Sequence, residues 1–143
     1  MGREKIKIRK KMRKSKEEHI AEAKRHIENA RETLRLYGKK EDGFYTDKKY
    51  VATAGHQAYR GVLIALNELM KQYGIAKKTR KHVHDYQDFL AHIDKKILNI
   101  FNFLYEELHL VMGYDGIGKY TVVQEALKSA EGLINWVEKK LKK

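Results

Sequence analysis

The 143-residue chain contains neither cysteine nor proline, and these two absences exclude several classes of structure. Without cysteine there is no disulfide framework and no thiolate metal site. Without proline nothing forces a helix to break, so long helices joined by glycine-containing turns are expected. No apolar run approaches the ~20 residues that a membrane-spanning helix needs, and no apolar signal segment follows the charged first residues. We therefore expect a cytoplasmic protein without a membrane span.

Positive charge is distributed unevenly along the chain. The net charge is +12, and Met1–Lys16 holds nine Lys or Arg residues against a single Glu. A segment with so much like charge and so little apolar surface does not fold alone. Residues 1–15 are therefore predicted to form a flexible arm that is disordered or is ordered by a partner. The cations predicted to contact an RNA or DNA backbone are Arg3, Lys5, Lys7, Arg9, Lys10, Lys11, Arg13 and Lys14. A solvated tail without a ligand is the alternative.

Residues 16–143 are predicted to form one domain, an all-α, antiparallel up-down four-helix bundle. Ser15 and Glu18 form a capping box that starts the first helix, and Thr121 with Gln124 forms a second. Apolar residues repeat three and four positions apart through each helix, which is the period of a buried helical stripe. No strand is predicted. The four predicted helices cover about Lys16–Tyr37, Asp47–Tyr73, Lys81–Met112 and 121–141, with a turn at residues 39–46 and a polar linker at 75–80.

The stretch Tyr50–Met70 is predicted to be the central helix of this bundle. Its small residues recur three or four apart, and small side chains allow a neighbouring helix to approach closely. These residues are Ala52, Ala54, Gly55, Ala58, Gly61 and Ala65.

Two motifs have the spacing of a known site without its other requirements. Residues Gly113–Lys119 fit G-x-x-x-x-G-K, but a phosphate-binding loop also needs a preceding strand and a Ser or Thr after the lysine. Here a helix is predicted before the loop, and Tyr120 follows. Glu106 and His109 form a Glu-x-x-His motif of the kind found in di-iron bundles, but no second motif accompanies it. We therefore predict no metal, no cofactor and no catalytic residue.

A group of tyrosines and basic residues is the candidate ligand cluster. Polar residues interrupt the apolar central helix, and further tyrosines are expected at one end of the bundle. Such a cluster can stack a base or hold a phosphate, although tyrosines that cap a core are the simpler alternative. The predicted members are His56, Tyr59, Arg60, Tyr114, Lys119 and Tyr120.

Three blocks of the sequence, EAKRHIENARETL, AGHQAYRGVLIALNELM and ALKSAEGLINWVEKKL, resemble the HEPN superfamily of small helical domains. The pair Ala58-Tyr59 before an aliphatic helix matches the second HEPN helix, and the likeness covers about residues 17–141. AGHQAYRGVLIAL further resembles an uncharacterised bacterial family of small domains of unknown function. HEPN RNases carry an Arg followed by four to six residues and then a His, whereas EELHLVMGYDGIGKYT has His109 without that arginine. The resemblance thus implies the fold and a homodimer, but not the nuclease.

Three functions remain open on the sequence alone. The first is a non-catalytic binding module whose arm engages RNA or DNA. The second is a divergent HEPN-type RNase or toxin that uses His56, Tyr59, Arg60 or His109. The third is a protein-interaction module, such as a nucleotidyltransferase partner or an antitoxin.

Overall fold

The structure, a computed structural model, describes residues 15–75 and 81–143, and helices account for most of them. A mostly helical, all-α chain is therefore confirmed. The basic arm with its eight predicted nucleic-acid contacts, and residues 76–80 of the predicted linker, lie outside the described residues. The helices are α1 (Lys16–Tyr37), α2 (Lys48–Gln72), α3 (Val83–Ile93), α4 (Lys95–Leu104), a π-helix (Tyr105–Tyr114) and α5 (Tyr120–Leu141); the strands are β1 (Lys40–Glu41), β2 (Phe44–Tyr45) and β3 (Gly118–Lys119).

Helix α1 has the predicted bounds, and its N-terminus is capped as predicted. Ser15 Oγ accepts a hydrogen bond from the Glu18 amide at 3.1 Å, and the Gly38 amide donates to Leu34 O at 2.9 Å. Tyr37 is half exposed and stacks on Tyr50 of α2, with ring centroids 4.7 Å apart. The apolar residues that repeat three and four positions apart in α1 are buried: Ile20, Ala23, Ile27, Ala30 and Leu34.

Helix α2 is the central element, because it packs against α1, the π-helix and α5. Its small residues permit this. A Cβ added at Gly61 would lie 2.8 Å from Ala23 O of α1. A Cβ at Gly55 would lie 2.5 Å from Leu108 O of the π-helix. The predicted role of the small-residue flank is therefore confirmed, and it serves two different neighbours.

The prediction of a single third α-helix over Lys81–Met112 is wrong. Asp94 has extended backbone angles (φ −159°, ψ 106°) that separate α3 from α4, and its Oδ1 accepts from the amides of Lys96 and Ile97 at 2.9 and 3.2 Å. From Tyr105 the winding widens to a π-helix. The apolar pattern concealed the break because Ile93 and Ile97 keep a four-residue spacing across it.

A small antiparallel sheet contradicts the prediction that the chain has no strands. Asp42 and Gly43 have φ values of 49° and 80°, the combination that a type I′ hairpin turn requires. This turn pairs β1 with β2, and β2 pairs in turn with β3 through Tyr45 opposite Gly118. The sheet thereby joins the connection after α1 to the start of α5.

The prediction of a second capping box, formed by Thr121 and Gln124, is also wrong. Helix α5 begins at Tyr120 with Lys119 in the N-cap position, and Lys119 makes no side-chain capping bond. Gln124 is not available to cap the helix, because its Nε2 donates to the Tyr45 hydroxyl at 2.9 Å. Strand pairing at Gly118–Lys119 fixes where the helix begins. Among residues 15–75 and 81–143, no helix has the combination of length and apolar character needed to cross a membrane.

Candidate functional site

A shallow surface groove of about 480 Å³ lies where α1, α2 and the π-helix meet. We call it the histidine groove, because each of these elements contributes one histidine to it. Helix α2 supplies most of the lining. The lining residues are His26, His56, Gln57, Tyr59, Arg60, Leu63 and His109.

Aromatic rings surround His109 on several sides. Its ring stacks on Tyr59 with centroids 4.7 Å apart and an interplanar angle of 25°. His56 and Tyr114 meet it edge-on at 5.6 and 5.1 Å, and Tyr105 lies at 5.4 Å. These contacts fix the position of a half-buried imidazole at the wall of the groove.

The π-helix brings His109 and His56 together through a close approach at Gly113. A Cβ added at Gly113 would lie 2.6 Å from Cε1 of His56, so the imidazole of His56 occupies the space that a side chain would need. Gly113 therefore belongs to the packing of the groove. It does not begin a phosphate loop, because it lies within the π-helix and the chain turns only at Gly116, where φ is 67°. Segments of π-helix are rare and occur often at functional sites.

Burial favours the neutral forms of two rings in the groove wall, those of His109 and Tyr59. Burial, with a further effect from the neighbouring His56, lowers the pKa of His109. Burial also raises the pKa of the Tyr59 hydroxyl, with Tyr86 and Tyr105 adding to the effect. Nδ1 of His109 is buried and has no hydrogen-bond partner among the described residues. Because a charged ring would place an N–H on that nitrogen, its isolation also disfavours the imidazolium.

The predicted ligand cluster divides into two groups. His56, Tyr59, Arg60 and Tyr114 come together at or beside the histidine groove. Tyr120 lies instead with the small sheet, where its ring is 5.6 Å from Tyr45. Lys119 is exposed on β3, opposite Phe44.

Two groove residues were missed or misread in the sequence. His109 was considered in the Glu-x-x-His motif and in the RNase alternative but was not placed in the ligand cluster, because its ring neighbours depend on the π-helix, which has no clear sequence signal. His26 enters the groove because α1 approaches α2 closely at Gly61, where a Cβ would lie 3.0 Å from His26 Cβ. That proximity required knowing which helix faces the small-residue flank.

The Glu-x-x-His segment contains a buried carboxyl group. Glu107 is 8% exposed, and burial, followed by repulsion from Glu106, raises the pKa of its carboxyl. Glu106 itself is exposed. Within the described ranges, no group of three or more histidine or acidic side chains is placed to hold a metal ion.

The fold and the groove define a small helical protein with a histidine- and tyrosine-lined surface site. Residues 18–139 match a family model described as a domain of unknown function, DUF5618. The chain belongs to this family, which agrees with the predicted likeness to small domains of unknown function. Neither this match nor the structural one below is to a HEPN family, so the HEPN resemblance gains no support from them.

A solved structure of a protein of unknown function from Dyadobacter fermentans is similar to this chain. The two share 49% sequence identity and superpose with a TM-score of 0.81, over 90% of this chain and 99% of the other. No curated protein matches.

Proposed function

We propose that the protein is a nucleic-acid-binding module that holds single-stranded RNA or DNA in the histidine groove and along its basic arm. The observation that carries this proposal is the arrangement of the groove itself. It combines the exposed cation of Arg60 with a wall of flat rings from His56, Tyr59 and His109. The chain's net charge of +12 favours a polyanionic partner of this kind.

Each component has a recognised use in binding a single strand. Aromatic and imidazole rings stack on bases, and base–aromatic stacking contributes about 1–3 kcal/mol per base. A guanidinium pairs with phosphate oxygens in a bidentate geometry. With Nδ1 of His109 lacking an acceptor, the neutral ring is expected to carry its proton on Nε2 and to donate it to a ligand oxygen.

The lack of a hydrogen-bond partner at His109 Nδ1 favours a binding role over a catalytic one. A general-base histidine usually donates its second N–H to a carboxylate or carbonyl, which holds the other nitrogen free to accept a proton. No described residue accepts a hydrogen bond from His109 Nδ1. This absence supports the non-catalytic module over a nuclease.

The test is a titration of fluorescently labelled RNA and DNA oligonucleotides with the full chain at several salt concentrations. If about six cations of the arm pair with phosphates, log K should fall against log salt with a slope of about −4 for single strands and about −5 for duplex DNA. Deleting residues 2–14 should abolish most of the salt dependence while leaving the helical circular dichroism unchanged. Unchanged affinity after this deletion would contradict the role of the arm.

Variants within the groove test its role separately from that of the arm. Arg60→Gln should weaken binding about tenfold or more, because a charge-assisted hydrogen bond contributes roughly 1.5–3 kcal/mol. Gly113→Ala should also weaken binding, because the new Cβ displaces the His56 ring without removing it. The matched control is Lys128→Gln, which removes one exposed charge from α5 outside the groove. If Lys128→Gln weakens binding as much as Arg60→Gln, the groove is not the binding surface.

RNA cleavage is a second candidate function, favoured by the two imidazoles whose centroids lie 5.6 Å apart beside a guanidinium. In such a reaction one imidazole removes the 2′-hydroxyl proton and the 2′-oxygen attacks phosphorus. The second imidazole protonates the departing 5′-oxygen, and Arg60 stabilises the charged intermediate. Incubation of the protein with transfer RNA in a chelator tests this. Cleavage that is lost in both His56→Ala and His109→Ala would establish it, and intact RNA would exclude it.

We also propose that α1, α2, residues 83–114 and α5 form an antiparallel, HEPN-like four-helix bundle that associates as a homodimer in the cytoplasm. The central position of α2 between three neighbours supports the bundle. Light scattering after gel filtration, over a range of protein concentrations, tests the dimer. A protein partner, such as a nucleotidyltransferase or a toxin, is the alternative to a nucleic-acid ligand. Co-purification from the native cell, with and without nuclease treatment, separates the two.

A further inference from the structure

A second pocket, of about 480 Å³, lies between the last turn of α1, the small sheet and the first turn of α5. We call it the tyrosine–lysine pocket. Its volume falls within the roughly 300–1,000 Å³ of small-molecule sites. One of its residues is Tyr120. The sequence predicts Tyr120 to belong to the ligand cluster, but in the structure it lies apart from the histidine groove. The lining residues are Arg31, Leu34, Arg35, Leu36, Lys39, Lys40, Tyr45, Tyr120 and Gln124.

The charge of the lining is entirely positive. Four of the nine residues are cations and none is acidic. Arg31 is engaged by Glu28 and Glu131 at 2.5 and 2.6 Å, and Arg35 by Glu32 at 2.8 Å. Neither Lys39 nor Lys40 has a carboxylate of the described residues within ion-pair distance. Two ammonium groups are therefore available to an anionic ligand.

The hairpin register directs one of these ammonium groups into the pocket. Lys40 stands directly opposite Tyr45 in the β1–β2 ladder, so both side chains lie on the same face of the sheet. The Lys40 Nζ lies 3.6 Å from the centroid of the Tyr120 ring, a cation–π contact that holds the long side chain in place.

Tyr45 adds a hydroxyl group that is held in position by one hydrogen bond and can still donate another. Its oxygen accepts a hydrogen bond from Gln124 Nε2 at 2.9 Å. Burial, and then the nearby Tyr120, raises the pKa of this hydroxyl, so that it keeps its proton at neutral pH. An oriented O–H is thus available to donate to a ligand oxygen.

Lys39 occupies a backbone conformation that lysine rarely adopts. Its φ is 50°, in the left-handed region where glycine and asparagine are favoured. Its carbonyl accepts from the amide and the hydroxyl of Thr46 at 2.8 and 2.7 Å, which fixes the strained residue. This fixed backbone places the Lys39 side chain at the pocket.

We propose that the tyrosine–lysine pocket binds the phosphate monoester of a nucleotide, which for an oligonucleotide is its terminal phosphate. The ammonium groups of Lys39 and Lys40 pair with the phosphate dianion, and the Tyr45 hydroxyl donates to a third oxygen. The exposed side chain of Leu36 lies at the same pocket and offers an apolar surface to the sugar or base. The choice of a nucleotide rests on the proposed function; the recognition of a phosphate monoester rests on the pocket alone.

Isothermal titration of the full chain with 5′-AMP, adenosine and inorganic phosphate tests the proposal. We expect 5′-AMP to bind, adenosine to show no measurable binding, and inorganic phosphate to compete. Lys40→Gln should lower the affinity for 5′-AMP about tenfold, and Lys40→Arg should restore most of it. Equal binding of 5′-AMP and adenosine would overturn the proposal.

Lys39→Gly provides a variant that removes charge without threatening the fold, because glycine suits the positive φ. It should lower the 5′-AMP affinity about fivefold or more, with an unchanged or higher melting temperature. Lys128→Gln, outside the pocket, should bind like the wild type. Full affinity in both Lys39→Gly and Lys40→Gln would overturn the proposal.

Oligonucleotides with and without a 5′-phosphate distinguish this proposal from the proposed function. A preference for the phosphorylated strand that disappears in Lys40→Gln but persists in Arg60→Gln supports the pocket. If oligonucleotides bind the groove but 5′-AMP does not bind the chain, the pocket proposal fails and the proposed function stands. If 5′-AMP binds and oligonucleotides do not, the pocket proposal stands and the proposed function fails.

Discussion

Substituting alanine for Gly55 tests the closest approach between α2 and the π-helix. An added Cβ would lie 2.5 Å from Leu108 O, 2.6 Å from Met112 Cβ and 3.0 Å from the Gly113 amide nitrogen. Two of these three atoms belong to the backbone and cannot move by rotating a side chain. The π-helix must therefore shift as a unit to accommodate one methyl group.

The expected magnitude is a balance of two opposing effects. Alanine favours an α-helix interior over glycine by about 0.8–1 kcal/mol. Overpacking of a well-packed site costs roughly 1–3 kcal/mol and occasionally more, and contacts with backbone place Gly55 at the upper end. We therefore expect Gly55→Ala to lower the free energy of unfolding by a net amount of about 1–2 kcal/mol. For a chain of this size, each kcal/mol corresponds to roughly 2–4 °C in melting temperature.

Gly132→Ala is the matched control. Gly132 is exposed in α5, and an added Cβ would meet nothing within 4 Å. The same chemical change should here raise the free energy of unfolding by about 0.5–1 kcal/mol. Urea and thermal unfolding followed by circular dichroism measure both variants. Two shifts of the same sign would refute the reasoning, since only the packing around the glycine differs between them.

Three further predictions concern charge and capping. Burial raises the pKa of Glu107 in the folded chain. Its contribution to stability is therefore present below the unfolded-state pKa of about 4.3, and it is lost as the pH rises through the folded-state pKa. Glu107→Gln should therefore be more stable than the wild type at pH 7, with the difference vanishing in acid unfolding curves. Because burial and His56 lower the pKa of His109, its contribution is present above about pH 6.5 and is lost as pH falls further. His109→Gln should flatten the dependence of stability on pH in that window, and an unchanged slope would contradict the shift. Asp94→Ala should cost about 0.5–2 kcal/mol in urea unfolding, because it removes the cap of α4; Asp94→Asn should retain most of it.

Local signals in the sequence were sufficient for the helices whose ends are capped locally. Ser15, Glu18 and Gly38 lie within a few residues of the groups that they bond, so α1 could be bounded correctly. Asp94 carried an equally local signal, since an aspartate before Lys95 is a preferred N-cap. The regular apolar spacing across Asp94 nevertheless led to the prediction of one continuous helix. The hairpin at Asp42-Gly43 likewise had a turn signature, but strands of two residues leave no alternating pattern.

The candidate site could be predicted only where its residues share one helix. His56, Tyr59 and Arg60 are neighbours on α2, so their proximity followed from helical spacing. His26 and His109 depend on two glycine-mediated helix approaches and on a π-helix, which are tertiary features. Tyr120 was assigned to the wrong cluster because pairing of β3 with β2 holds it beside Tyr45.

The pairing of β2 with β3 has a consequence for how the chain is made. Tyr45 of β2 pairs with Gly118 of β3, so the hairpin gains its third strand only after the chain has emerged from the ribosome as far as Gly118–Lys119. Contacts of such long range form slowly, because a large loop must close first. Until then β2 presents an unpaired edge, and a product truncated before Gly118 would keep that edge open to pairing with other chains.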